Sequence, residues 1–191
     1  MSAFCFVYSK VTPNPSCDVD EFKRLMNQLT ADSLAEEHCL LYQVLQTTDE
    51  PSIYYVVSKF KDFEALEAHE QSSSRMASMD QFRELTKSDM IQKIANDASI
   101  QDVSVSTVAN ESSLQQTGNV RLVVTVSVFD EPQFISLAQR LTDATRKESG
   151  NISYTFVKVT ETVEATISHG IRAGPPATME YLFIELFQGE W

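Results

Sequence analysis

The chain repeats itself. Glu36-Glu37-His38-Cys39-Leu40-Leu41-Tyr42 returns as Glu148-Ser149-Gly150-Asn151-Ile152-Ser153-Tyr154, so Glu36 to Glu148 and Tyr42 to Tyr154 are both separated by 112 positions. Upstream, the same shift carries Phe22, Leu25 and Leu29 onto Phe134, Leu137 and Leu141, and Met26 and Ser33 onto Ala138 and Thr145. A constant shift through a helical stripe and the turn after it constrains the architecture more than any composition figure, because repeated units fold as repeated supersecondary structures. Two domains of about a hundred residues are expected, with boundaries 1–108 and 120–191 and a polar linker at 109–119, where Asn110-Glu111-Ser112 and Gln115-Gln116-Thr117-Gly118 lie.

In the first copy, Phe4, Phe6 and Tyr8 alternate at strand spacing, and Pro13-Asn14-Pro15-Ser16 stops the strand. Asp18 or Ser16 caps a helix whose buried stripe is Phe22, Leu25, Met26 and Leu29. His38 sits where the second copy has Gly150, a helix-ending position that suits a left-handed residue. Leu40 to Gln46 and Ile53 to Phe60 read as a hairpin of strands around Thr47–Ser52. Asp62 caps a short helix through Phe63, Leu66 and His69, Ser72–Ser74 punctuates, and helical material continues from Asp80 to about Ala95. Ile100 to Val108 supplies a fourth strand. The order βαββαβ is the ferredoxin-like arrangement, an antiparallel sheet with helices on one face and so an α+β fold.

The second copy begins with a strand, Val120 to Phe129, and a helix capped by Asp130 with Pro132 in its first turn. Ile152 to Val159 and Tyr181 to Phe187 follow as strands, with Tyr181 displaced by 127 positions from Tyr54. The extra residues fall between them, where Gly174-Pro175-Pro176 suggests a protruding loop over Thr160 to Thr178 that contains His169. Only Gln188-Gly189-Glu190-Trp191 remain after Phe187, so this copy lacks a second helix and a fourth strand. An unpaired apolar edge is an aggregation liability. The expectation is therefore a longer natural chain, with completion by a partner as the alternative.

Net charge of −12 disfavours nucleic acid and anionic membrane surfaces, since both demand basic residues. No run approaches a membrane span, and the apolar stretch Ala3 to Tyr8 lacks a basic flank and is too short for a signal peptide core. Cys5, Cys17 and Cys39 have no CxxC spacing and no counterparts in the second copy, which points to free thiols rather than disulfides or a zinc site. A reducing, cytoplasmic setting follows. Without a secretion signal, the acceptor patterns at Asn110 and Asn151 are read as chance.

Both copies resemble the antibiotic biosynthesis monooxygenase (ABM) family of the dimeric α/β-barrel superfamily. The resemblance rests on the helix stripe, on the Glu-x-Gly-x-x-x-Tyr turn seen in full as Glu148, Gly150 and Tyr154, on the strand ends Ser58-Lys59-Phe60 and Glu185-Leu186-Phe187, and on Glu64-Ala65-Leu66-Glu67-Ala68-His69. It implies two ferredoxin-like sheets packed face to face as a barrel. In single-copy relatives two chains supply them; here the two repeats of one chain, or a homo-oligomer, would. It also implies a pocket between sheet and helices, and oxygenation of a small aromatic or quinol substrate without metal or flavin. By the same resemblance His69 is the candidate catalytic residue, a general base that removes a phenolic proton, with Tyr55, Phe60 and Phe63 as aromatic pocket residues. The competing reading makes His69 a hydrogen-bonded structural residue and those rings plain core. The family's second histidine is replaced by Ser74, and its strand-end Trp by Phe60. The Trp and His of the haem-degrading branch are replaced by His69 and Met79, and neither first strand carries that branch's Asn. A non-catalytic small-molecule-binding or stress-response barrel is the alternative function. An isomerase or decarboxylase acting on a small polar metabolite is a third.

Overall fold

Alternation in the first strand decides which residues face the helices. Strand β1, Cys5–Val11, turns Cys5, Val7, Ser9 and Val11 to one side. Helix α1, Val19–Leu34, lays Phe22, Leu25, Met26, Leu29 and Ser33 against that side. In this computed structural model the described residues are 4–47, 50–87, 90–96, 120–149, 151–166, 170–174 and 179–187. They fall into two units, Met1–Ala98 with Thr160–Pro175, and Ser99–Val159 with Pro176–Trp191.

The first unit contains an antiparallel sheet in the order β2-β3-β1-β4, where β2 is Cys39–Gln46, β3 is Tyr54–Phe60 and β4 is Met90–Asn96. Between β3 and β4 come α2, Phe63–Glu70, and α3, Ser73–Leu85, which completes the βαββαβ order. Each helix start is marked by a side chain that satisfies otherwise orphaned amides. The Asp18 carboxylate accepts from the Asp20 amide at 2.9 Å, Asp62 from Ala65 at 2.9 Å, and Ser72 from Arg75 at 3.4 Å. Ser72 is thus a helix cap rather than simple punctuation. One core joins the sheet to the helices, built from Val7, Val11, Phe22, Leu25, Leu29, Tyr42, Tyr54, Phe60, Leu66 and Leu85 among others.

Two expectations are corrected. The helix expected to reach Ala95 ends at Leu85, and Met90–Asn96 is a strand antiparallel to β1, with Val7 opposite Ile94 and Ser9 opposite Gln92. Apolar residues at 90, 91, 94 and 95 follow helical spacing, and Gln92 and Lys93 break strict alternation; pairing with the edge of β1 overrides that local pattern by offering a ladder of hydrogen-bonding partners. The strand expected at Ile100 to Val108 lies outside the described residues, as do the linker at 109–119 and His169. The segment beginning at Thr160 is not simply a loop. The strand that starts at Asn151 continues to Thr166 as β6 and pairs with β7, Gly170–Gly174, with Thr162 opposite Gly174 and Thr166 opposite Gly170. Its run of Thr and Val has strong strand preference. The Thr160 hydroxyl donates to the Ile94 carbonyl at 3.2 Å.

The second unit repeats the order of the first with β5, Val120–Val128, α4, Glu131–Thr145, the early part of β6, and β8, Met179–Phe187, in the sheet order β6-β8-β5. The registers coincide. Val11 faces Tyr54 as Val126 faces Tyr181, and Ser9 faces Val56 as Val124 faces Phe183. Each copy also carries a register break at the same place, between Cys39 and Leu41 and between Asn151 and Ser153. The helical stripe behaves differently in the two copies. Leu25 and Leu29 are buried, whereas Leu137 and Leu141 are about half exposed and Ala138, Thr142 and Thr145 form the buried line of α4. In the first unit α3 packs along α1; the described residues of the second unit include no counterpart to α3.

Candidate functional site

The floor of a cavity in the first unit is a patch of small side chains on adjacent strands. Val7 lies opposite Ser58, and Ser9 lies between Val56 and Gln92. Over this floor stand Met26 and Leu29 from α1, Leu66 and His69 from α2, and Met79 and Phe82 from α3, with Tyr42 and Phe60 at the side. About 60 Å³ is open to the centre of a water-sized sphere, room for several waters or a small ring by the usual one-water requirement of roughly 10–15 Å³. The floor is low because valine and serine occupy positions where larger residues fit. The second unit shows this directly: Val44 and Val56 face each other across β2 and β3, and the matched pair in β6 and β8 is Phe156 and Phe183. Those two rings stack at 5.7 Å, and Phe134 meets both edge-on.

His69 enters the wall through helical spacing, since Ala65, Leu66 and His69 are the buried residues of α2. Its side chain is 4% exposed, and its Nδ1 lies 2.8 Å from Glu36 Oε2. The Phe60 and Tyr42 rings lie 4.9 and 5.9 Å from the imidazole. Glu36 follows α1 in the turn, where its amide donates to the Ser33 carbonyl and its carbonyl accepts from the Cys39 amide, both at 3.2 Å. A further bond, from the Lys61 amide to the His38 carbonyl, ties this turn to the end of β3. A buried polar ring is thereby given the partner that burial requires.

A second polar group lies on the same wall. The Arg75 guanidinium holds Glu70 through Nε at 3.2 Å and Nη2 at 3.1 Å, and both residues line the cavity. Burial pushes the Tyr42 phenol above its usual value, with the Arg75 charge and a Ser33 hydrogen bond opposing the rise. The Tyr42 hydroxyl is therefore a neutral donor at neutral pH.

Of the residues singled out from sequence, His69 and Phe60 both line the cavity. Tyr55 projects from the other side of β3, where it stacks on Tyr8 at 5.0 Å, and is not in the cavity wall. Phe63, the first residue of α2, is 45% exposed and is also outside the wall. Strand alternation separates Tyr55 from Phe60, because Tyr54, Val56, Ser58 and Phe60 share the helix-facing side. Glu36, Arg75, Glu70, Ser58 and Gln92 carried no assigned role in the sequence. Glu36 did carry a signal, the recurrence of Glu148 at the matching place. Among the described residues no three His, Cys, Asp or Glu side chains are grouped to hold a metal ion. No helix of the described residues is long and apolar enough to cross a membrane.

A ferredoxin-like α+β unit enclosing a cavity between sheet and helices, with one buried histidine in its wall, defines the class. Residues 7–94 match the family model described as antibiotic biosynthesis monooxygenase (ABM). The fold also resembles two solved structures over 98% of this chain. One is a candidate monooxygenase from Lactobacillus acidophilus NCFM, 19% identical, with 78% of that chain covered and a TM-score of 0.62. The other is a candidate monooxygenase from Fusobacterium nucleatum, 10% identical, with 77% covered and a TM-score of 0.68. At these identities the likeness is one of fold, and its near-complete extent fits two units in tandem. No curated protein sequence matches the chain.

Proposed function

We propose that the first unit is a cofactor-independent monooxygenase acting on a small aromatic or quinol substrate, with His69 as general base. The observation that carries this reading is a cavity, within the residues that match the ABM family model, whose wall presents a buried imidazole held by a carboxylate at 2.8 Å. The wall is otherwise mainly apolar, with Val7, Val56, Phe60, Leu66 and Phe82 suited to a flat ring and Ser9, Ser58 and Gln92 to its oxygen substituents. His69 takes a phenolic or enolic proton, and the resulting electron-rich anion reacts with dioxygen. For an anthrone-type methylene the overall change is CH₂ plus O₂ to C=O plus H₂O, which balances without another reductant. A reducing cytoplasm, where Cys5, Cys17 and Cys39 remain thiols, goes with this reading.

Oxygen uptake with a panel of hydroquinones and anthrone-type compounds tests it. Uptake above buffer that falls with His69→Ala supports the proposal, and equal rates for the two proteins refute it. A non-catalytic binding role is the second reading. It is favoured by Ser74, which stands in place of the family's second histidine and bonds to Ser72 at 3.3 Å. That reading predicts a bound small molecule that survives purification without turnover.

A further inference from the structure

We infer that Glu36 is the positioning residue of His69, fixing the imidazole as the tautomer protonated on Nδ1 and leaving Nε2 as the ring nitrogen that receives a proton. A carboxylate can only accept, so at 2.8 Å from Glu36 Oε2 the nitrogen Nδ1 must carry the hydrogen. In a neutral imidazole the lone pair then resides on Nε2. Both partners stand on constrained backbone. Glu36 is fixed in its turn by the Ser33 and Cys39 hydrogen bonds, and His69 lies on α2, whose end is closed by the Ser72 amide donating to the His69 carbonyl at 3.1 Å. Phe60 and Tyr42 limit the tilt of the ring. The side chain of Glu36 is one-quarter exposed beside His69, while Glu148, at the matching position of the other unit, is exposed. This inference rests on the reading of His69 as the base, but its test does not.

The test is nitrogen NMR of the full chain labelled with ¹⁵N-histidine at about pH 8.5, above the ordinary imidazole pKa of about 6.5. The His69→Gln variant assigns the His69 signals. The expected result is a protonated Nδ1 and an unprotonated Nε2 for His69. Glu36→Ala removes this preference, and Glu36→Gln, whose amide oxygen still accepts, retains it. A wild-type His69 protonated on Nε2 overturns the inference, as does an unchanged tautomer in a folded Glu36→Ala protein. The wild-type spectrum decides even where Glu36→Ala does not fold. Where a quinol or anthrone supports uptake, Glu36→Ala lowers kcat by at least about tenfold with KM little changed, the pattern expected when a base loses the carboxylate that orients it. Absent uptake with the Nδ1-protonated tautomer present sinks the base reading and leaves the positioning of His69 by Glu36 supported.

Discussion

Leu29 and Leu141 occupy one helical position in two copies, so truncating each to alanine measures what the second unit leaves uncovered. Leu→Ala removes roughly three carbon groups, worth about 0.8 kcal/mol each on full burial, or about 2.4 kcal/mol. Leu29 is 4% exposed and so loses nearly all of this. It also lines the cavity, whose walls are held apart by β1, β3 and the helices, so the site cannot close over the gap. The cavity cost raises the expected loss to about 3–4 kcal/mol, within the range seen for buried leucines. Leu141 is 50% exposed. Its loss is about half the transfer value, and alanine's better helix propensity offsets a few tenths of that, leaving about 1 kcal/mol. For a chain of this size each kcal/mol moves Tm by about 2–4 °C. Leu29→Ala should therefore melt roughly 6–15 °C below wild type and Leu141→Ala about 2–4 °C below it. Calorimetry, with urea unfolding to verify equal m values, provides the comparison. A Leu141→Ala loss as large as that of Leu29→Ala would refute the reasoning, since it would mean that the α4 stripe is covered in solution.

The low floor of the cavity predicts that Val56→Phe, which copies Phe183 of the second unit, abolishes any quinol-dependent oxygen uptake while circular dichroism stays native; undiminished uptake would place the site elsewhere. Burial pushes the Cys5 thiol up to about 12 and the Cys39 thiol to about 11, so a maleimide at about pH 7.5 should label one cysteine quickly in the native protein, Cys17, and three after denaturation, as read by mass spectrometry. In the second unit the Glu131 carboxylate accepts from Lys158 Nζ at 2.5 Å and from the Tyr181 hydroxyl at 2.7 Å, which hold its carboxyl below the usual range. A lowered folded pKa adds stability above the unfolded carboxylate value of about 4.3 and loses it as pH falls through the folded value. Glu131→Gln should accordingly cost about 0.5–1 kcal/mol at neutral pH, a modest figure because the pair is about one-third exposed, and the gap should close in acid. Parallel stability curves for the two proteins across that range would count against the pair.

Much of the fold was legible because local signals and the repeat agreed. Asp18, Asp62 and Asp130 cap the helices expected of them, and the βαββαβ order follows from alternation and turn residues. Met90–Asn96 was not legible, because its apolar spacing is helical and the strand is imposed by the edge of β1, more than 80 residues earlier in the chain. The strands beyond Thr160 were hidden by the Gly and Pro residues that punctuate them. At the site, His69 stood out through the family resemblance of Glu64-Ala65-Leu66-Glu67-Ala68-His69. Tyr55 and Phe63 were drawn to it by their aromatic character alone, and the pleat of β3 and the outer side of α2 sent both elsewhere.

The sequence by itself determined the α+β class and the order of the elements, because periodicity, capping and a constant displacement are properties of neighbours along the chain. Only the tertiary structure decided that Glu36 lies 2.8 Å from His69 and that a valine and serine floor leaves space beneath it. It also decided that the same helical stripe is buried in one unit and half exposed in the other. Those outcomes depend on which distant surfaces meet. Hydrogen bonding and packing across tens of residues set them, and no local pattern encodes the partner.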